Sequence, residues 1–395
     1  MSLALCMIVK NEAARLPDCL KSVQGWVDEM VIVDTGSSDN TVEIARSFGA
    51  AVHHFAWTDD FAEARNYSLQ KVESDWVLVL DADEVMLPDA IARLDAIMRS
   101  PNTLLITLLR EEVGAKQGPL SLISRLFRNH PEIKFRRPYH ELVDDSISSL
   151  QAQDSRWRVE TLDIPAIRHF GYQEDVIQSQ EKYERLQRLL AKAVRQYPED
   201  AYLRSKLGGL QCDLKMYAQA RTTLEAGLAL VENEPAVRYE LYYHLGLVCT
   251  AQGLVKEAET AYQQALGQSY PNLLKIGAVL NLGSLYLNHG APELAFKQFK
   301  QGVRISPNLA IAHYNLGLAL KGANRLSEAI AAYEQAIALS PNYAAAYQNL
   351  GVVYFKLGNI AESRQHFDQA VRLYQQVDPN QAAQLQQGMK ELGIG

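Results

Sequence analysis

The chain has 395 residues, 48% hydrophobic and 22% charged, with a net charge of −7, an ordinary globular composition long enough for two or three domains. No apolar run reaches the ~18 residues a membrane-spanning helix needs, four dispersed cysteines do not form a disulfide framework or zinc ribbon, and the acidic balance argues against nonspecific nucleic-acid binding. The averages hide a seam: all four tryptophans lie at or before Trp157 and 15 of 20 aspartates precede residue 171, whereas 17 of 19 tyrosines lie at or after Tyr172.

The opening MSLALCMIV is too short for a signal-peptide core, and Lys10 and Asn11 interrupt it at once. It reads as a buried strand over residues 3–9, with the cytosol as the expected compartment. A helix follows from about Glu12 to Val23, then a strand over 27–34. Thr35-Gly36-Ser37-Ser38-Asp39-Asn40 is a turn in which Asp39 or Ser38 caps a helix running to Phe48. A strand at 51–55, a helix at about 61–73 and a strand at Trp76–Leu80 come next, and the last ends in Asp81-Ala82-Asp83-Glu84.

Strands alternating with helices predict a mostly parallel, Rossmann-like sheet, whose ligands bind at the carboxyl ends of the strands. Asp34, Asp81 and Asp83 stand at two such ends. Neither GxGxxG nor a Walker A string occurs, so phosphate cradles of those kinds are not expected. Carboxylates at i and i+2 project to the same side of extended backbone, where Asp81 and Asp83 can jointly hold a divalent cation that bridges substrate phosphates. Further along, Arg125, Arg128, Lys134, Arg136 and Arg137 form a basic cluster in an acidic domain, either a solvated face or a surface for phosphate oxygens.

Past residue 170 the pattern changes to an internal repeat. Asn-Leu-Gly recurs at 281–283, 315–317 and 349–351, a period of 34 residues. In 310–343, Leu316-Gly317 is followed by Ala329, Tyr333, Ala336 and Pro341; 276–309 and 344–374 repeat the scheme, and two looser copies precede them. Residues 200–374 therefore resemble about five tetratricopeptide repeats. Small residues let the two helices of each hairpin approach, and stacking neighbours buries the core. Residues 173–199 read as a linker and capping helix, and 375–395 as a second cap. Asn281, Asn315 and Asn349 share one position on the first helix of successive hairpins. They form either a ladder for an extended peptide backbone or a plain feature of the repeat, and such arrays serve peptide binding or self-association as a homodimer.

Met7-Ile8-Val9-Lys10-Asn11-Glu12, Val31-Ile32-Val33-Asp34-Thr35-Gly36-Ser37-Ser38-Asp39-Asn40-Thr41, Ala64-Arg65-Asn66 and Leu80-Asp81-Ala82-Asp83-Glu84 together resemble a family 2 glycosyltransferase with the GT-A fold over residues 1–172. Thr35 departs from the usual second aspartate of that pattern. The chain is most similar to the subgroup that joins such a domain to tetratricopeptide repeats, which includes peptide S-glycosyltransferases of glycocin biosynthesis.

The resemblance implies inverting hexosyl transfer from a nucleoside diphosphate sugar, UDP-linked by expectation, with Mn²⁺ or Mg²⁺ as cofactor and a peptide or protein as acceptor. Asp34 would accept from base or ribose, and Asn11 and Glu12 would line the nucleotide pocket. Asp60 and Arg65 would help close it. Asp81 would approach ribose and metal, Asp83 would ligate the metal, and His169 would either join it or cap the domain end. Among Glu111, Glu112, Glu141, Asp144 and Asp145, the reading selects Glu141 as base with His140 as its contact. The alternative is a glutamate placed by the dipole of the following helix. The competing function is a non-catalytic tetratricopeptide scaffold with a nucleotide-sugar-binding domain; a nucleotidyltransferase would carry a glycine-rich basic loop where Asn11-Glu12 stands.

Overall fold

The computed structural model describes residues 1–114, 120–171 and 180–394. Two compact units divide at Gln211 and Cys212. The seam expected at residues 172–173 and the start of the expected capping helix lie outside the described residues.

The first unit is built on one eight-stranded sheet. In chain order it runs β1 (Leu3–Val9), α1 (Leu16–Val23), β2 (Glu29–Asp34), α2 (Thr41–Ser47), β3 (Ala51–His54), α3 (Phe61–Leu69) and β4 (Trp76–Val79). It continues with β5 (Glu84–Met86), α4 (Pro88–Met98), β6 (Thr103–Glu112), β7 (Leu120–Arg128), α5 (Asp144–Gln153) and β8 (Arg158–His169). The sheet order is β3-β2-β1-β4-β7-β6-β8-β5. β3, β2, β1 and β4 are parallel, as the alternating pattern predicts. β7 joins β4 antiparallel, β6 pairs antiparallel with β7 and parallel with β8, and β5 closes the edge antiparallel to β8. The four strands after residue 80 add this mixed half, which the alternation of the first eighty residues does not announce.

Alternation along β1 divides the core. Leu3, Leu5, Met7 and Val9 face one cluster with Leu16, Leu20, Trp76 and Leu78. Ala4 and Cys6 face the other with Val77, Val79, Phe127, Phe135 and Ile147, as a two-residue period requires.

Local chemistry shifts two helix starts from expectation. Asn11 is left-handed at φ 57° and Glu12–Arg15 form a turn, so α1 begins only at Leu16, with Pro17 in its first turn where its missing N–H costs nothing. Asn40 occupies the N-cap position of α2 without a side-chain bond, while Asp39 accepts from Thr41 N–H at 3.0 Å and Ala13 N–H at 3.2 Å. Asp60 caps α3 by accepting Glu63 N–H at 3.0 Å; α3 ends at Leu69, four residues early.

Two helices complete the unit, α6 (Gln180–Gln196) and the greater part of α7 (Ala201–Asp213). Leu190 and Ala193 pack with Leu203 and Leu207.

The second unit is all helical: α8 (Tyr217–Leu230), α9 (Pro235–Ala251), α10 (Val255–Leu266), a 3-10 turn at Asn272–Lys275, α11 (Ile276–Asn288), α12 (Pro292–Ile305), α13 (Ala310–Gly322), α14 (Leu326–Leu339), α15 (Ala344–Lys356), α16 (Ile360–Val377) and α17 (Pro379–Glu391). The 34-residue period has a steric basis. A Cβ added to Gly246, Gly283 or Gly317 would lie 2.5, 2.5 or 2.6 Å from the ring of Tyr262, Phe299 or Tyr333, and at Gly351 2.9 Å from Phe367. These four hairpins thus seat an aromatic ring close against glycine backbone. At the far end, Ala382 and Met389 of α17 pack with Phe367, Val371 and Tyr374, and Asp378 caps the helix.

Because no side chain fits beneath Tyr333, Gly317→Ala should destabilise the second unit by about 1–3 kcal/mol. Gly388→Ala, where nothing lies within 4 Å of the new Cβ, should be neutral or stabilising. Urea titration of the two variants beside the parent checks both.

Candidate functional site

At the carboxyl ends of β1 and β2 the chain laces its own turns together. Asp34 accepts from Gly36 N–H on Oδ2 at 3.2 Å and from Ser37 N–H on Oδ1 at 3.0 Å, and His54 Nδ1 stands 3.3 Å from the same Oδ2. Burial opposes ionisation of Asp34, but these bonds, led by those from Ser37, outweigh it and hold the carboxyl below its usual range. Asn11 Oδ1 accepts Ser38 N–H at 2.8 Å, and its own N–H donates to Ser37 Oγ at 3.0 Å. Glu12 N–H donates to Thr41 Oγ1 at 2.8 Å. Asn11, Glu12 and Asp34 therefore share one rim, and His54 joins it.

The second cluster sits just past β4. Asp81 receives Arg65 Nη2 at 2.6 Å on Oδ1 and Arg125 Nη2 at 3.2 Å on Oδ2. Burial opposes its charge, yet the two guanidiniums, Arg125 foremost, hold the carboxyl far below the usual range. Arg65 is 3% exposed, and its Nε donates to Glu141 Oε1 at 2.6 Å. Glu141, itself buried, is thereby committed to Arg65. This is a charge-assisted pair of the strong kind. Arg125 Nη1 is buried without a hydrogen-bond partner.

A third chain of charge runs alongside. Glu84, fully buried, accepts Asp81 N–H at 3.0 Å and Arg110 Nη1 at 2.7 Å. Arg110 also meets Glu112 at 2.8 Å, Glu112 meets His169 Nδ1 at 2.6 Å, and His169 Nε2 faces Asp83 Oδ2 at 3.4 Å. Burial lowers the affinity of His169 for a proton, but Asp83 and Glu112 outweigh it and raise the imidazole to about 9. Gly171 makes the approach possible, since a Cβ there would stand 2.5 Å from His169 Nε2 and 3.3 Å from Asp83 Oδ2.

The donor set bears on a cation. Among the described residues no group of three or more His, Cys, Asp or Glu side chains is arranged to hold a metal. Both oxygens of Asp81 are taken by arginines, whereas Asp83 and His169 converge, with Glu112 orienting the imidazole as carboxylates do behind metal-bound histidines. Asp83 and, once it has lost its proton, His169 would offer two donors to a manganese-like ion that keeps several waters.

The remaining expected residues disperse. Asp60 serves as a helix cap, and burial pushes its carboxyl above the usual range. Glu111 pairs with Arg168, Asp144 with Ser124 and Asp145 with Arg137. His140 is exposed on the loop before Glu141 and left-handed at φ 55°, its ring edge-on to Tyr139. The basic cluster does not act as one surface: Arg125 turns to Asp81, Arg128 to the carbonyls of Thr103 and Ser100, and Arg137 to Asp145 and Asp200. In the second unit, Asn281 and Asn349 donate to Tyr243 and Tyr314 hydroxyls at 3.3 and 3.2 Å. Arg110 and Glu84, which sequence reasoning missed as partners, carried a faint signal: charged residues at the end of apolar runs.

Comparison with known proteins follows the same division. The glycosyl transferase family 2 model matches residues 4–158, and tetratricopeptide-repeat models match 213–273, 323–358 and 344–377. A TPR repeat-containing protein of Synechococcus elongatus is 46% identical over 304 residues, 77% of this chain and 75% of that protein. The uncharacterized glycosyltransferase RP128 of Rickettsia prowazekii is 29% identical over 150 residues, 36% of this chain and 51% of its own. The SPbeta prophage-derived glycosyltransferase SunS of Bacillus subtilis is 28% identical over 142 residues, 34% of this chain and 33% of its own. The chain thus spans about half and about a third of these last two relatives.

Breaking the buried pair should be costly. Arg65→Met strands Glu141 without a partner and should lower unfolding stability by about 3–5 kcal/mol. Glu141→Gln, which keeps an acceptor for Arg65 Nε, should cost less than half as much. Denaturant midpoints of the two variants measure the difference.

Proposed function

The chain belongs to the family of tetratricopeptide-repeat proteins with an N-terminal family 2 glycosyltransferase domain, and on that premise we propose that it transfers a hexose from a nucleoside diphosphate, UDP in this reading, to a peptide or protein acceptor with inversion at the anomeric carbon. The observation that carries the reading is the pairing of Asp81 with Arg65 and Arg125 beside the converging Asp83 and His169. A strand end that fixes one carboxylate in its ionised form and leaves a second facing an imidazole suits recognition of a ribosyl diphosphate.

Each residue then has a task. Asp34 and Asn11 form the rim that meets base and ribose. Arg65 and Arg125 keep Asp81 ionised and aimed at the ribose. Asp83 and His169 would hold Mn²⁺ or Mg²⁺, which when bound supplies positive charge against the departing diphosphate. Glu141 holds Arg65 in place rather than reaching an acceptor. His140, exposed on the same loop, receives the proton that the acceptor nucleophile loses as it attacks opposite the leaving group. The tetratricopeptide array presents the acceptor peptide. No helix among the described residues is long and apolar enough to cross a membrane.

Three experiments test this. A thermal-shift screen across UDP-, GDP- and TDP-sugars with Mn²⁺ should give a shift with one nucleotide, since 100-fold saturation adds about 2.7 kcal/mol. Sugar release from that donor should be lost in Asp83→Ala; release unaltered by the substitution would refute the metal assignment. His140→Asn should lower turnover about 10²-fold with the thermal shift retained, as steady-state assays of the two proteins would read out.

A further inference from the structure

The loop 136–142 is gripped from two sides. Its ends are pinned together by Arg136 N–H to Leu142 C=O at 3.0 Å and Leu142 N–H to Arg136 C=O at 3.2 Å. Toward the strand ends, Glu141 holds Arg65, and the Pro138 carbonyl accepts Phe61 N–H at the start of α3 at 2.9 Å. Toward the helices, Arg137 donates Nε to Asp200 at 2.7 Å and Nη1 to Asp145 at 2.6 Å, with its guanidinium 5.2 Å above the Tyr202 ring. Tyr139 packs on the Leu190, Ala193, Leu203 and Leu207 cluster of α6 and α7. Within this short loop Arg137 and His140 both adopt left-handed backbone, at φ 78° and 55°. For residues with a side chain such backbone costs of order 1–3 kcal/mol and persists only where the surroundings impose it.

Asp200 joins Arg137 to α7 through a double contact. Its Oδ1 accepts Leu203 N–H at 2.9 Å and so caps α7, while its Oδ2 takes Arg137. We infer that α6 and the start of α7 are the backing that sets the 136–142 loop, and that Arg137 and Asp200 are positioning residues for sugar transfer although Asp200 lies outside the residues matched by the glycosyltransferase family. The catalytic half of this statement rests on the transferase reading; the structural half does not. With Asp200 neutral, Arg137 keeps Asp145 as its one anionic partner, eight residues away on the element that follows the loop, and on α7 only the uncharged face of Tyr202. The left-handed turn then loses its ionic anchor to α7 and keeps only the packing of Tyr139 and the Tyr202 ring, so that His140 and the Arg65–Glu141 pair are held less firmly in a common frame.

The test uses the full chain with Asp200→Asn, because asparagine remains a good N-cap but presents no anion to Arg137. Amide hydrogen exchange of residues 136–142 should accelerate at least tenfold while β1 and β4 keep their protection, and Asp200→Glu should restore most of the difference. In the sugar-transfer assay kcat should fall about tenfold with donor KM within twofold, and Arg137→Lys, which keeps the charge but not the two-way fork, should behave alike. Unchanged exchange in 136–142 would overturn the inference. Faster exchange with unchanged kcat would overturn the positioning role, and so would a fall in kcat matched by an equal rise in KM. If the parent turns over no nucleotide sugar, the transferase reading fails by itself and exchange alone decides whether the helices back the loop.

Discussion

A guanidinium buried to 3% exposure has to be paired on every side that lacks water, and the first unit is arranged around that need. Arg65 projects from α3 between Asp81, on the segment after β4, and Glu141, on a loop before α5. Removing Arg65 leaves the buried Glu141 charge uncompensated in a low-dielectric interior, which is far more costly than the pair is beneficial. The strand, the helix and the loop are therefore locked in mutual position by one side chain. The same logic extends the lock: Arg125 completes Asp81, and Glu84, Arg110 and Glu112 form a second charged chain that ends at His169.

What was legible in the sequence divides by the range of the interactions. The four parallel strands, the carboxylates at their ends and the 34-residue period are local or periodic, so spacing alone exposes them. The partners of those carboxylates are not. Arg125 meets Asp81 across 44 residues and Glu141 meets Arg65 across 76, with β5, β6 and β7 in between, strands that add antiparallel pairings to a sheet expected to be mostly parallel. A string such as Arg65-Asn66 marks its residues as unusual without saying that the arginine is a brace. Glu141, chosen as a base from its place after His140, is a brace of the same kind.

The asparagine ladder shows the opposite case, in which the sequence pattern is correct and its meaning depends on neighbours. Asn281 and Asn349 do recur on the first helix of their hairpins, yet both amides donate to tyrosine hydroxyls of the preceding hairpin. Lys321 further occupies the carbonyl of Asn349 at 2.6 Å. Where a tyrosine stands one repeat earlier, the amide joins hairpin to hairpin. Leu280 holds that place before Asn315 and offers no hydroxyl.

Gly171 has a consequence for comparing descendants of one ancestor. Its Cα lies where any side chain would collide with the imidazole of His169, so the identity of this one position encodes where that ring stands. A homologous chain with alanine or serine there must have rotated the ring or withdrawn the backbone, and with it the convergence on Asp83. A side chain at this position is thus a marker, readable in a genome before any assay, of a chain that has left this arrangement.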